Sequence, residues 1–242
     1  PGRCCKRPRS LVEIGNQPKA PGADTVQNVI NAFLLVYAAL FPIVNPIGSA
    51  PLFLRMTHGR NTAERSVLAL NVARNSFFLL LGSLFIGSHV LEFFGITLPV
   101  VRVAGGLVVA TFGWQLLHAP EVPDADLAKV DTNGPSIDAF YPLTMPLTVG
   151  PGSMSVAMTL GSQRPTPADD FAQLAILGGA AVAGLAAIAL SIFISYRFAD
   201  RIIAFLGKRG TDVVMRLSAF ILFCIGIQII WNGCSALFGK TV

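Results

Sequence analysis

The chain has 242 residues, of which 53% are hydrophobic and only 13% charged, with a formal charge of +5 and a mean hydropathy of +0.63. Soluble domains carry about 25% charged residues, so a chain this apolar could not cover its surface as a soluble globular domain. Its basic residues lie in loops beside apolar runs, which reads as topogenic charge rather than a nucleic-acid surface.

Residues 1–25, opening "PGRCCKRPRS", are basic and poor in apolar side chains, so a disordered tail is expected. The tail has no apolar core of its own and is not read as a cleavable signal. It begins without Met, and we expect it to be partial or mis-started. Apolar runs follow at 26–56, 67–94, 98–117, 140–160, 171–196 and 213–237. Each approaches or exceeds the roughly 20 residues needed to span a bilayer. Runs such as "GGAAVAGLAAIALSIFI" are continuous rather than alternating, which excludes a transmembrane β-barrel. The expected fold class is therefore an all-α integral membrane protein with about six transmembrane helices.

The first run is interrupted by "LFPIVNPIGSAPLFL", with Pro42, Pro46 and Pro51. Each proline removes a backbone donor and clashes with the preceding turn. Inside a bilayer such a break survives only against protein or a watery cavity. Asn45 suits an N-cap and Pro46 the first helical position. Gly48 and Ser49 then allow a ligand or another helix to approach closely.

The second run holds Arg74, in "LNVARNSFFLL". Charge at bilayer depth is costly and usually functional, so Arg74 joins the candidate site; pairing with a carbonyl at a helix end is the competing explanation. Glu92 is the one acidic residue within the apolar runs, which argues against a divalent-cation pathway. Arg102 and Arg216 lie near span ends, where they can snorkel to the interface.

The segment 118–139 is polar, acidic and rich in Pro and Gly, and reads as a loop dividing two three-span units, 26–117 and 140–238. The second unit contains "MPLTVGPGS", matching "FPIVNPIGS" in the first. Here Thr148 or Gly150 can cap, Pro151 starts the helix, and Gly152 and Ser153 follow. "VRVAGGLVVATFGWQLL" also aligns with "MRLSAFILFCIGIQII", placing Gly113 on Gly226 and Gln115 on Gln228. Three spans per unit turn the second upside down relative to the first. That gives two inverted repeats with Pro/Gly-broken first helices, the plan of many secondary transporters.

The four cysteines read as free thiols, and no zinc-type spacing is present. No G-x-S-x-G, H-E-x-x-H or P-loop occurs, so neither an enzyme nor a cofactor is expected. Together "FPIVNPIGSAPLFL", "RVAGGLVVATFG", "MPLTVGPGS" and "GKRGTDVVMRLSAFILFCIGIQIIWNG" resemble the MarC family of bacterial inner-membrane proteins over roughly 27–238. The family is also called NAAT, after a proposed neutral amino acid transport activity. The resemblance implies six transmembrane helices and kinship with the lysine-exporter superfamily, and fixes no substrate. The chain departs from it in the basic tail and at "RLSAF" (216–220), where a glycine that would allow close helix approach is commoner.

The expected function is secondary transport or export of small polar solutes such as neutral amino acids in the inner membrane, bound at opposed half-helix N-termini near the bilayer midplane. The substrate would bind at Asn45, Pro46, Gly48, Ser49, Thr148, Gly150, Pro151, Gly152 and Ser153, with Arg74 nearby. The alternative is a non-transporting membrane protein with a structural or stress-response role. Expected partners are the solute and the lipid bilayer, with homo-oligomerisation left open. Arg55, Arg60, Arg65, Arg197, Arg201, Lys208 and Arg209 place their loops in the cytoplasm and both termini outside, against the pull of Arg3, Lys6, Arg7, Arg9 and Lys19.

Overall fold

Proline, glycine and asparagine, set inside apolar stretches, decide where the helices of this chain begin and end. A computed structural model describes residues 21–57, 59–118, 138–162 and 171–239, and among these every regular element is helical. Most of the expected tail and central loop lies outside the described residues, although residues 21–25 already belong to the first helix.

That helix, α1 (Pro21–Val44), ends at Asn45, and α2 (Pro46–Met56) starts on the next residue. Asn45 sits in the left-handed region at φ 46°, ψ 58°, which asparagine tolerates better than most side chains. Its Oδ1 accepts the Gly48 N–H at 3.1 Å, and Pro46 occupies the first turn where its missing N–H costs nothing. The expected cap is therefore in place. Next, α3 (Thr62–Phe85) is capped by Asn61, whose Oδ1 accepts the Glu64 N–H at 2.8 Å. A short α4 (Gly87–Phe93) ends near Gly95 (φ 67°), and α5 (Leu98–Leu117) coincides with the expected run.

The run expected at 140–160 is a correction. It forms a six-residue π-helix, Leu143–Thr148, and then α6 (Pro151–Ser162) of 12 residues, neither long enough to cross a bilayer alone. Pro146 and Pro151 supply no N–H to the ladder, and Met145 is extended at φ −115°, ψ 122°. The chain closes with α7 (Phe171–Arg197) and α8 (Ala199–Leu237), the latter redirected at Gly207 (φ 69°, ψ 174°). Among the described residues five stretches are long and apolar enough to span: Val26–Val44, Thr62–Phe85, Leu98–Leu117, Ala175–Arg197 and Arg209–Leu237. Leu34, Leu35, Phe78, Leu107, Phe220 and Trp231 stand exposed on their outer faces, as a lipid-facing surface requires.

Lipid tails are as apolar as leucine, so close packing rather than burial must hold such helices together. The most extensive pair is α5 with α8. A Cβ at Gly113 would lie 2.6 Å from the Phe223 nitrogen and 3.0 Å from the Ala219 oxygen; one at Gly106 would lie 2.8 Å from the Gly226 oxygen. Gly226 abuts the Ala110 backbone, and Gly233 lies against Pro99 and Val103. Residue numbers rise on one helix as they fall on the other, so the pair is antiparallel. The contacts also exchange under the sequence repeat. Gly113 with Phe223 becomes Gly226 with Ala110, and Gly113 with Ala219 becomes Gly226 with Gly106. The close approach that the departure at 216–220 seemed to remove is present, because Ser218 meets Gly48.

Two contacts orient the broken helices. Arg65, in the first turn of α3, reaches both carboxylate oxygens of Asp200, in the first turn of α8, at 3.0 and 3.1 Å. This puts the two basic loops on one face of the protein. Gly161, near the end of α6, abuts the backbone of Leu84 at the far end of α3. α2 therefore runs toward the basic-loop face and α6 toward the opposite one. At 1.5 Å per residue they cover about 16 and 18 Å, roughly half of a 30 Å hydrocarbon layer each. Each therefore starts inside that layer rather than at one of its faces.

Candidate functional site

Three hydroxyls join the start of α2 to the π-helix that precedes α6. Tyr196, next to last in α7, is buried, and its ring stacks on Phe53 of α2 at 4.4 Å between centroids. Its hydroxyl donates to Ser49 Oγ at 3.1 Å and lies 2.8 Å from Thr148 Oγ1. Ser49 Oγ donates in turn to the Asn45 carbonyl at 2.8 Å, and Thr148 Oγ1 to the Leu143 carbonyl at 2.7 Å. The side chains link the α2 motif, the π-helix and the end of α7 in one buried chain. A water-free hydroxyl must find such partners, since leaving it unpaired costs about 1–3 kcal/mol.

On either side of this junction lies a small cavity. One of about 30 Å³ is lined by Asn45, Gly48 and Ser49, with Leu116 and Met215 toward the basic-loop face. The other, of about 70 Å³, is lined by Thr148, Gly150, Pro151, Gly152 and Ser153. A water needs about 10–15 Å³ measured this way, so each holds a few waters and no more. No charged side chain lines either one.

The start of α6 faces the second cavity. Gly150 precedes Pro151; its carbonyl accepts the Met154 N–H at 3.2 Å and the Ser153 hydroxyl at 2.9 Å. The N–H groups of Gly152 and Ser153 belong to a first turn, which has no partners within its own helix and carries the positive end of the helix dipole. Glycine is required at 152 by packing as well: a Cβ there would collide with the Val109 side chain and lie 3.1 Å from the Gly105 oxygen. Gly48 is equally confined, by Asn45 Oδ1 and Ser218 Cβ, each 2.7 Å from a Cβ placed on it.

The structure thus sets Asn45, Gly48 and Ser49 on one cavity and Thr148, Gly150, Pro151, Gly152 and Ser153 on another, with Pro46 lining neither; the two groups are linked through Tyr196, between Ser49 and Thr148. Thr148 bridges to Tyr196 rather than capping. Arg74 does not join them: it is exposed on the outer face of α3, with Val67, Leu70 and Phe78. Gln115 and Gln228 also face outward, Gln228 donating to Asn232 at 2.9 Å. Arg102 instead turns inward, its Nε donating to Thr159 of α6 at 3.2 Å. Tyr196 is the member that sequence reasoning missed. The one signal was a phenol closing an otherwise apolar run.

Comparison with known proteins finds relatives that share most of the chain's length. A protein named UPF0056 inner membrane protein MarC from Citrobacter koseri is 32% identical over 214 residues, covering 86% of this chain and 96% of its own. Proteins of the same name from Escherichia coli strain SMS-3-5 and from Shigella flexneri are 31% and 30% identical over 212 and 213 residues, each covering 85% of this chain and 95% of theirs. No solved structure matches the chain. A profile described as MarC family integral membrane protein matches residues 30–238. With its apolar helices, the chain is a multi-pass protein of the inner membrane and belongs to the MarC family.

Proposed function

We propose that the protein is a secondary transporter of small neutral solutes, with neutral amino acids as the substrate class. The observation that carries this reading is a pair of half-helices that start within the helical bundle and run toward opposite faces, each beginning beside its own cavity. A helix N-terminus offers N–H groups and positive dipole charge to an anion, which suits a carboxylate at Gly152 and Ser153. On the other motif Pro46 has no N–H, so the Pro42 carbonyl loses its helical donor at the C-terminal, negative end of α1, one residue before the Ile43–Asn45 wall of the first cavity, which suits an ammonium group. The absence of charged side chains from both cavity walls favours a solute with no net charge.

The second reading, a membrane protein whose prolines serve only shape, draws support from the size of the cavities. Both are too small for an amino acid, so transport requires them to enlarge. Purified protein in proteoliposomes separates the two readings by uptake or efflux of labelled alanine, glycine and serine. Flux above protein-free vesicles, lost in Gly152→Leu, supports transport. No flux of any of the three, from folded and inserted protein, favours the structural role.

A further inference from the structure

The two cavities are walled from one another by four side chains that line both: Ile43, Phe112, Leu147 and Leu222. They come from α1, α5, the π-helix and α8, and all four are hydrocarbon. Ile43 and Leu147 are equivalent positions of the two motifs, each following the first proline in "FPIVNP" and "MPLTVGP". Leu222 and Val109 are likewise equivalent, four residues before Gly226 and Gly113, and Val109 lines the second cavity. The partition therefore lies where the repeated halves face each other. Polar groups gather on either side of it, at Asn45 and Ser49 on one and at Thr148, Gly150 and Ser153 on the other.

We propose that Ile43, Phe112, Leu147 and Leu222 form an apolar gate between two half-sites, and that their bulk sets the largest solute that can pass. This deepens the transport reading and rests on it. A hydrocarbon constriction between polar chambers blocks water and ions by dewetting. It opens when its side chains part, which helix movements around α5 and α8 would produce. Leu147 and Leu222 are buried against their neighbours, so the gate is closed. The first cavity has in its wall Leu116, next to last in α5, and Met215, about two turns beyond the redirection of α8 at Gly207, on the side of the basic loops. Access to it comes from that face. Access to the second, at the start of α6, comes from the face that α6 runs toward.

Two measurements test this and separate its failure from failure of the transport reading. In protein with Cys4, Cys5, Cys224 and Cys234 replaced by serine, Ser49→Cys and Ser153→Cys are each reacted with a membrane-impermeant methanethiosulfonate added to one side of the membrane. The gate predicts that Ser49→Cys reacts at least tenfold faster from the basic-loop face and Ser153→Cys at least tenfold faster from the other. Phe112→Ala should reduce both preferences to less than threefold. This readout requires no substrate. If both thiols prefer the same face, or if Phe112→Ala leaves the sidedness intact, the gate is wrong whatever the protein carries. The second measurement is flux of labelled alanine against labelled leucine. Phe112→Ala and Leu147→Ala should each raise the leucine-to-alanine ratio at least fivefold. An unchanged ratio in variants that still carry alanine overturns the gate and leaves transport standing. Absence of flux in the parent protein overturns transport, and with it the gate's role in selection, even where the thiols show the expected sidedness.

Discussion

Replacing Tyr196 by phenylalanine isolates the hydroxyl junction between α2 and the π-helix. The ring and its stacking on Phe53 remain, and only one oxygen is removed. Before the change, the hydroxyl protons of Ser49, Thr148 and Tyr196 serve short contacts to two carbonyls and to one another. Afterwards Ser49 still donates to Asn45 and Thr148 to Leu143, so no buried donor is orphaned. The loss is then the one bond that the single Tyr196 proton makes. Hydrogen bonds between membrane helices average about 0.6 kcal/mol and reach ~1.7. For a chain of this size, each kcal/mol lowers the thermal midpoint by about 2–4 °C. Detergent-solubilised Tyr196→Phe should therefore melt roughly 1–7 °C below the parent by size-exclusion thermal scan. Tyr196→Ala, which also removes the ring, should lose about 3–5 kcal/mol. In a double-mutant cycle, Thr148→Val should cost markedly less in the Tyr196→Phe background than in the parent. Equal costs in both backgrounds would refute the shared network, and a Tyr196→Phe loss equal to that of Tyr196→Ala would show that the ring contributes nothing.

Other positions give sharper contrasts. Gly113→Ala and Gly106→Ala must push α5 from α8 and should cost about 1–3 kcal/mol by overpacking, read as a lowered melting midpoint. Gly82→Ala and Gly178→Ala meet nothing within 4 Å and should be neutral or stabilising by about 0.5–1 kcal/mol in the same scan. Gly48→Leu and Gly152→Leu should abolish flux while the protein still inserts, as membrane fractionation would show; normal transport by both would move the site elsewhere. Alkaline phosphatase fused after Val242 should be active, with the basic loops inside the cell; a fluorescent cytoplasmic GFP fusion would reverse that orientation.

What could be read in the chain beforehand follows from how local each cause is. The cap at Asn45 and the start at Pro46 depend on a few neighbouring residues, so proline position and side-chain chemistry were enough to place them. Helix α5, bounded by Thr97 and His118, has no internal breaker and matched its apolar run. The run at 140–160 misled because hydropathy does not register missing N–H donors: Pro146 and Pro151 are apolar by composition and still break the helix. The placements of Tyr196 and Arg74 depend on tertiary packing. Tyr196 meets Ser49 across 147 positions of chain, and only the rotation of α7 selects it over its neighbours. The rotation of α3 likewise turns Arg74 outward, with Val67, Leu70 and Phe78.

The exchange of contacts between α5 and α8 has a consequence for assembly. An interface in which residue i touches j while the counterpart of j touches the counterpart of i is isologous, the kind that two identical subunits form about a twofold axis. Here both subunits are halves of one polypeptide, and Gly113 against Phe223 repeats as Gly226 against Ala110. Recognition between the halves is therefore written into the helix surfaces themselves and does not rely on the covalent link at 119–137. A chain supplied as two polypeptides, 1–118 and 138–242, should find itself again in the membrane as a heterodimer and co-purify through a tag on either piece.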